Sequence, residues 1–427
     1  MKKVLIITYY WPPSGGAGVQ RWLKFAKYLP QYGWQPVVLT VDPQYASYPQ
    51  VDESLLGEVS PHCLVHTTRS FELYNLYKWV TGKKQVPFGG FADSSHESRL
   101  QRLSKFLRGN LLLPDPRRGW NRWAYRRAVE LIREHQIDTV ITTSPPHSTQ
   151  LIGLKLRRRL SVRWIADLRD PWTDIYYYHQ FRHTPLALAY DRRCERRVVE
   201  QADKLITVSE DVKRLLAAKT PMNLKEKIAV IPNGYDHTDF EGLSVESEPR
   251  TVITYTGTIS EAYDIDALTG ALRGLDEHLK GRLLLRFVGN LPASVDARFR
   301  ATGIAMELTG YVSHARSVEY LLRSDLLLLV IPRVKNNGGI LTGKFFEYLA
   351  SRCPILAIGP TDGDLAAIMQ QTRCGRIFAY DDTPGMRQYL LQLLQGPAPE
   401  MTDGKAALRY SREQLTGNIV NLLNAKK

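Results

Sequence analysis

The chain has 427 residues, 44% of them hydrophobic and 23% charged, with 57 Lys and Arg against 43 Asp and Glu for a net charge of +14. This composition excludes a disordered, collagenous or small disulfide-stapled chain and leaves room for two or three domains with large cores. The positive excess favours anionic partners: nucleic acid, nucleotide phosphates or a membrane surface.

From the amino terminus, Met1-Lys2-Lys3 and the apolar run behind it imitate a signal peptide. The run is short, however, and leads into Pro12-Pro13-Ser14-Gly15-Gly16 with no small-residue cleavage site. Strands are expected at residues 4–8, 36–41, 63–67, 139–143, 162–166, 204–208 and 228–231, with amphipathic helices between most of them, among them 19–31 and 120–135. The polar stretch 239–250 has no apolar periodicity and reads as an interdomain linker. A second series of strands follows at 251–255, 283–288, 306–308, 326–331, 354–358 and 376–378, and a last helix at about 411–425. The longest apolar run, residues 326–331, is far below the roughly 20 residues that span a bilayer, so no membrane crossing and a cytoplasmic location are expected. Cys63, Cys194, Cys353 and Cys374 are scattered without a CxxC pair and read as reduced structural thiols.

Alternating strands and helices specify an α/β protein with two Rossmann-like, doubly wound domains across a cleft fed by the carboxyl ends of both sheets. The expected domains are 1–240, 250–400 and a C-terminal helical segment 401–427. Several motifs fall at those strand ends. After the first strand, Gly15, Gly16 and Gly18 let backbone amides approach an anion at a helix N-terminus, although the third glycine of a dinucleotide fingerprint is missing. A plain tight turn is the alternative. Late in the chain, Gly338 to Lys344 satisfies GxxxxGK, but Phe345 stands where a P-loop needs Ser or Thr. A glycine-bearing loop opening a helix with Lys344 in its first turn still makes a pyrophosphate seat, and Glu347 shares that face at i,i+3. The bland alternative is an exposed ion pair.

Asp167, Arg169 and Asp170 crowd another strand end, either as a mutually neutralised network or as a substrate-facing cluster, and His147 ends the run Thr142 to Pro146 in a similar place. His179 and His183 are spaced i,i+4 without the Glu or third ligand of a zinc site, and no Asp-x-Asp pair indicates a magnesium-dependent transferase. Finally, residues 99–127 hold nine basic residues (Arg99, Arg102, Lys105, Arg108, Arg117, Arg118, Arg122, Arg126, Arg127) against Asp115. Trp120, Trp123 and Tyr125 lie in the same segment as Phe106, Leu111, Leu112 and Leu113. Solvated helix faces explain part of this pattern, which also suits contact with anionic lipid. No nucleic-acid-binding motif accompanies it.

In combination and order, Gly15-Gly16, the run Ile231 to Asp236, Tyr255-Thr256-Gly257-Thr258, the run Leu308 to Val312, and the run Lys344 to Ala350 with Pro354-Ile355-Leu356 resemble the GT-B glycosyltransferases. The resemblance is to glycosyltransferase family 4, of the bacterial cell-surface polysaccharide type. It implies two Rossmann-like domains, a C-terminal helix crossing back to the first, and retaining transfer from a nucleotide-diphosphate sugar without a catalytic metal or other cofactor. It also implies that Glu347, the second Glu of the family's E-x7-E pattern, binds the donor ribose; the first is replaced by Gly339. The family's Arg and Lys near Gly257 are not evident, and Arg333, Lys335 and Lys344 are the substitutes expected here.

The expected donor site comprises Gly15, Gly16, Gly257, Thr258, Tyr311, Arg333, Thr342, Gly343, Lys344 and Glu347. His147, Asp170 and Lys344 are the catalytic candidates, and Arg169 and Asp167 lie on the acceptor side. The expected partners are a nucleotide-sugar donor, a glycan or lipid-linked acceptor and an anionic membrane surface on the cytoplasmic side, with no nucleic acid. The competing readings are a GT-B-like sugar-nucleotide epimerase and a non-catalytic basic protein that binds membrane or nucleic acid.

Overall fold

The computed structural model describes residues 1–71, 106–243, 248–261, 263–396 and 402–425. Of the basic segment, Arg99, Arg102 and Lys105 lie outside the described residues. The chain divides into two compact units, the first comprising Met1–Pro232 with Arg412–Lys427 and the second Asn233–Ser411.

The first unit is built on seven parallel strands in the order β3-β2-β1-β4-β5-β6-β7. These are β1 (Lys2–Ile7), β2 (Trp34–Val41), β3 (Leu64–Thr68), β4 (Thr139–Ser144), β5 (Arg163–Leu168), β6 (Lys204–Thr207) and β7 (Ile228–Val230). Its helices are α1 (Ala17–Tyr28), α2 (Asn121–Glu134), α3 (Ser148–Arg159), α4 (Pro185–Gln201) and α5 (Glu210–Ala217). The central strands β4 and β5 are buried at every position because both faces are covered. Val4 and Ile6 of β1 pack with Trp22 and Phe25 of α1, whereas Leu5 and Ile7 pack with Ala128 and Leu131 of α2.

The second unit repeats the plan with six parallel strands in the order β10-β9-β8-β11-β12-β13. They are β8 (Thr251–Thr256), β9 (Leu283–Val288), β10 (Ala305–Leu308), β11 (Leu326–Val330), β12 (Ile355–Ile358) and β13 (Gly375–Phe378). Helices α6 (Asp266–Arg273), α7 (Glu277–Gly281), α8 (Ala293–Arg300), α9 (His314–Leu322), α10 (Gly343–Ser351), α11 (Asp364–Thr372), α12 (Thr383–Gln395) and α13 (Gly404–Leu408) connect and follow them. Leu326, Leu328 and Val330 face one core, and Leu327 and Leu329 face the other with Phe345 and Phe346 of α10.

All thirteen strands lie where the sequence periodicity places them, with no end displaced by more than two residues. The first helix is shorter than expected. Pro30 has no N–H for the helical ladder, and the chain tightens into a 3-10 turn at Leu29–Tyr32. The last helix, α14 (Arg412–Asn424), belongs to the first unit, where Leu415, Ile419 and Leu423 pack beside α1. Arg163 of β5 donates to the Leu422 and Leu423 carbonyls, satisfying the open end of α14. The four cysteines are buried and free, and among the described residues no helix is long and apolar enough to cross a membrane.

In each sheet the strand order reverses between two neighbours, β1 and β4 in one and β8 and β11 in the other. Loops at the carboxyl ends of such strands form the crevice where doubly wound sheets bind ligands. Most of the candidate residues sit on those loops, each set in its own unit.

Candidate functional site

In the second unit the site begins at the end of β8, where Gly257 has a backbone φ of +89° and Gly289, at the end of β9, has a φ of +136°. A Cβ on Gly289 would lie 2.4 Å from the Gly257 carbonyl oxygen, so the close approach of these two turns requires glycine. The Gly257 N–H is consumed by the Val288 carbonyl (2.7 Å). This leaves the exposed Thr258 amide as the backbone donor of the expected pair.

Lys344, on the first turn of α10, lies against the same loop. Its Nζ donates to the Thr256 carbonyl (2.7 Å) and to the Tyr255 hydroxyl (2.8 Å), and sits 4.1 Å from the centre of the Tyr255 ring. Burial pushes its pKa down to about 7, with Glu347 pulling the other way. Tyr348, one helix position beyond Glu347, sends its buried hydroxyl to the end of β8, where it accepts from the Thr256 N–H (2.9 Å). Lys344 and Tyr348, four residues apart, thus both tie α10 to the end of β8. Thr342, at the N-cap position of α10, makes no side-chain cap, and its buried Oγ1 has no hydrogen-bond partner. With Gly343 opening the helix, its first-turn amides and positive dipole end stand beside that hydroxyl.

Glu347 Oε1 lies 3.2 Å from His314 Nε2, which begins α9. His314 was absent from the expected site, because nothing local in the sequence announces a residue that reaches Glu347 only through the packing of α9 beside α10. Arg333 is held by Asp264 (3.2 Å) and stacks over Tyr380, leaving its side chain 63% exposed. Tyr311 is 66% exposed. The structure therefore gathers Thr342, Gly343, Lys344, Glu347 and the Gly257 turn, with His314 and Tyr348 added.

The first unit uses its strand-end charges differently. Asp167, fully buried at the end of β5, accepts from Arg21 Nε (3.2 Å) and Nη2 (3.0 Å), Trp22 Nε1 (2.7 Å) and Thr143 Oγ1 (2.8 Å). Its carboxylate is occupied in binding α1 to the sheet, which corrects the expectation that it faces an acceptor. Arg169 donates to the Ser144 (2.9 Å) and Gly18 (3.1 Å) carbonyls, fixing the start of α1 against the β4 loop. The Gly15 amide is likewise consumed, by the Gln50 carbonyl (2.9 Å). Gly16, with φ +90°, is the helix N-cap and has an exposed backbone.

His147 and Asp170 remain available. The His147 ring stacks on Trp172 (4.6 Å between centroids), and its buried Nδ1 has no partner. Burial, reinforced by Arg169, pushes its pKa down to about 3 and keeps the imidazole neutral. Trp172, with a φ of +34°, is secured by Asp191, which accepts from its Nε1 (2.9 Å) and from the Tyr178 hydroxyl (2.6 Å). Asp170 is half-buried, and burial raises its pKa against the attraction of Arg169.

The basic segment also departs from expectation. Trp120 is fully buried with its Nε1 on Thr68 Oγ1, and Arg117 is buried with Nη2 on the Ser47 carbonyl. Neither side chain is available to a lipid surface. Arg127 is paired with Glu130 and Glu134.

Residues 90–239 match the family model described as Glycosyltransferase Family 4. No curated protein matches the chain in sequence. Among solved structures, the chain is similar to an alpha,alpha-trehalose-phosphate synthase (UDP-forming) from Burkholderia xenovorans, solved with glucose-6-phosphate, with a TM-score of 0.63, 12% identity and coverage of 100% of both chains. TarM from S. aureus, in complex with alpha-GlcNAc-glycerol and UDP among its ligands, gives a TM-score of 0.62 at 11% identity, again covering 100% of both chains. WaaG, a glycosyltransferase involved in lipopolysaccharide biosynthesis, gives 0.56 at 15% identity, covering 99% of this chain and 100% of that one. At these identities the likeness is one of fold, and the fold is GT-B.

Proposed function

We propose that this GT-B glycosyltransferase, with its family 4 segment at residues 90–239, moves a sugar with retention from a nucleotide-diphosphate donor to a glycan or lipid-linked acceptor in cell-surface polysaccharide synthesis. The observation that carries this reading is the start of α10, where a partnerless buried Thr342 hydroxyl, the helix N-terminus and Lys344 converge. Breaking the bond from the anomeric carbon to the diphosphate oxygen leaves negative charge on the diphosphate. Donors already fixed in a water-poor site stabilise that charge without reorganising as it develops. Lys344 meets the diphosphate in its charged form, and Glu347, braced by His314, accepts from the ribose hydroxyls. Arg333 and Tyr311, both exposed, are assigned in this reading to the sugar of the donor. The uridine nucleotide bound to TarM makes UDP the first nucleotide to test.

His147 and Asp170 supply the acceptor contacts of the first unit. A neutral imidazole with an unused Nδ1, held flat by Trp172, is suited to hydrogen-bond a hydroxyl. Charge stabilisation by Lys344 and the helix amides is the basis for proposing a reaction that needs no metal. Activity that is unchanged in EDTA supports it, and activity lost in EDTA and restored by magnesium or manganese refutes it.

The acceptor is proposed to be presented at the cytoplasmic face of a membrane, in keeping with the net charge of +14. The deciding experiment is a thermal-shift comparison of UDP, GDP, dTDP and ADP, followed by transfer assays with the sugar nucleotides of the stabilising base. Stabilisation by one nucleoside diphosphate is the expected result. Indifference to all four overturns the reading. Turnover of the sugar nucleotide without an acceptor favours the epimerase alternative.

A further inference from the structure

The first unit exposes an apolar patch. Leu111 is 71% and Leu186 84% exposed, although the two leucines lie on segments held tightly together. The Thr184 N–H donates to Asn110 Oδ1 (2.6 Å), Asn110 Nδ2 donates to the Arg182 carbonyl (3.3 Å), and His183 Nδ1 lies 2.5 Å from the Gly109 carbonyl oxygen. Residues 106–111 are helical, so Leu107 and Leu111 share a face at i,i+4, and Leu186 and Tyr190 do the same on α4. Arg118 links the two: its Nη1 donates to the Leu113 carbonyl (2.9 Å) and its guanidinium lies over the Tyr190 ring (5.7 Å). These contacts make a fixed surface of scattered apolar tips.

Among the described residues of α4 and its neighbours Arg118 and Arg182, the exposed charge as far as Arg196 has one sign. Along α4 as far as Arg196, the only acids are Asp191 and Glu195, and both are turned inward and buried. Asp191 is occupied by Trp172 and Tyr178, and Glu195 by Thr173 and Lys219. Arg192, Arg193 and Arg196 of the same helix are exposed, as are Arg118 and Arg182 beside it. Inward acids with outward arginines and leucines make a face complementary to an anionic, apolar-cored layer.

We infer that residues 106–111 and the first half of α4 form the surface on which the protein docks on an anionic bilayer. This rests on the proposed membrane-presented acceptor and assigns it a face. Leu107, Leu111, Leu186 and Tyr190 enter the interface, and the arginines meet the headgroups. Burial removes Trp120 and Arg117 of the segment that the sequence pattern favoured, and its exposed Arg118 belongs to the proposed face. The exposed Arg122 and Arg126 of α2 are assigned no part in it.

The test is flotation of the full chain with vesicles of phosphatidylglycerol and phosphatidylethanolamine, against vesicles of phosphatidylcholine alone. The wild type is compared with the double variants Leu111→Glu/Leu186→Glu and Arg122→Glu/Arg126→Glu. The wild type is expected to bind the anionic vesicles and to lose binding as salt rises. The leucine variant is expected to bind about tenfold more weakly or worse, and the α2 variant to stay much nearer the wild type. A milder pair, Leu111→Ser/Leu186→Ser, gives the same direction if the glutamates disturb folding. Equal flotation of the leucine variants and wild type, or a wild type that ignores anionic vesicles at low salt, overturns the assignment. A leucine variant that loses an acidic protein partner while vesicle binding is untouched also overturns it. Nucleotide-induced thermal shifts on the same samples read the transfer function separately, because none of the changed residues belongs to the donor site.

Discussion

The two units share a plan of parallel strands with a glycine-bearing loop before a helix, yet they treat the charged groups at that place in opposite ways. In the first unit the charges of Arg21, Asp167 and Arg169 and the Gly15 amide are satisfied inside the chain, and of the groups before α1 the buried Ser14 hydroxyl is left without a partner among the described residues. In the second unit Lys344 is bonded only to a carbonyl and a hydroxyl, with no acid in its hydrogen bonds, and the Thr342 hydroxyl has no partner. A buried polar group left unsatisfied has a cost, and beside a helix N-terminus it is the observation on which the proposed donor site rests. The contrast is therefore one of charge: paired with an acid in the first unit, and bonded to neutral acceptors in the second.

The largest effect expected from this contrast is on stability. Asp167→Asn leaves the Arg21 guanidinium buried without its counter-charge and is expected to cost about 3–5 kcal/mol in urea unfolding. A loss below about 1 kcal/mol would show that this pair is not what binds α1 to its sheet.

Next in size is Lys344→Met. It is expected to keep the fold and lower kcat by about 10²–10³-fold, the effect of removing one preorganised donor to a developing anion. The same residue sets a pH dependence. Its amine has a pKa of about 7 in the free protein, and a bound diphosphate favours the charged form, so binding takes up a proton above that pH. Nucleotide affinity should therefore weaken as pH rises past about 7, by up to about tenfold per unit, and the Lys344→Met variant should lack that slope. Calorimetry of both proteins from below to above neutrality reads the difference, and parallel profiles would sink the assignment.

Glu347→Ala is expected to weaken nucleotide binding by about 1.5–3 kcal/mol, since it removes a charged acceptor. Unchanged affinity would break the ribose assignment. The smallest effect, and the sharpest for the comparison, is Thr342→Val. It should cost nucleotide affinity about 1 kcal/mol while leaving the free protein as stable or more so, because the hydroxyl it removes satisfies nothing there. A free protein destabilised by this change would mean that the hydroxyl is structural.

The apolar runs of β1 and β11 located those strands, because a strand covered on both faces reads as a nearly unbroken apolar run. Glycine placement located the turn at Gly257 and the opening of α10, and the i,i+3 spacing placed Lys344 and Glu347 on one face. Those features are local: dihedral freedom, side-chain period and helix geometry act over a few residues. The fate of individual polar groups is not local. Asp167 meets Arg21, Trp120 meets Thr68, and His314 meets Glu347 across long stretches of sequence. Whether such a group is spent or left available depends on which distant donor the packing delivers to it. Sequence thus determined the elements and the fold class, whereas tertiary packing decided which charges are paired inside the fold and which are not, since burial and pairing are properties of the assembled neighbourhood.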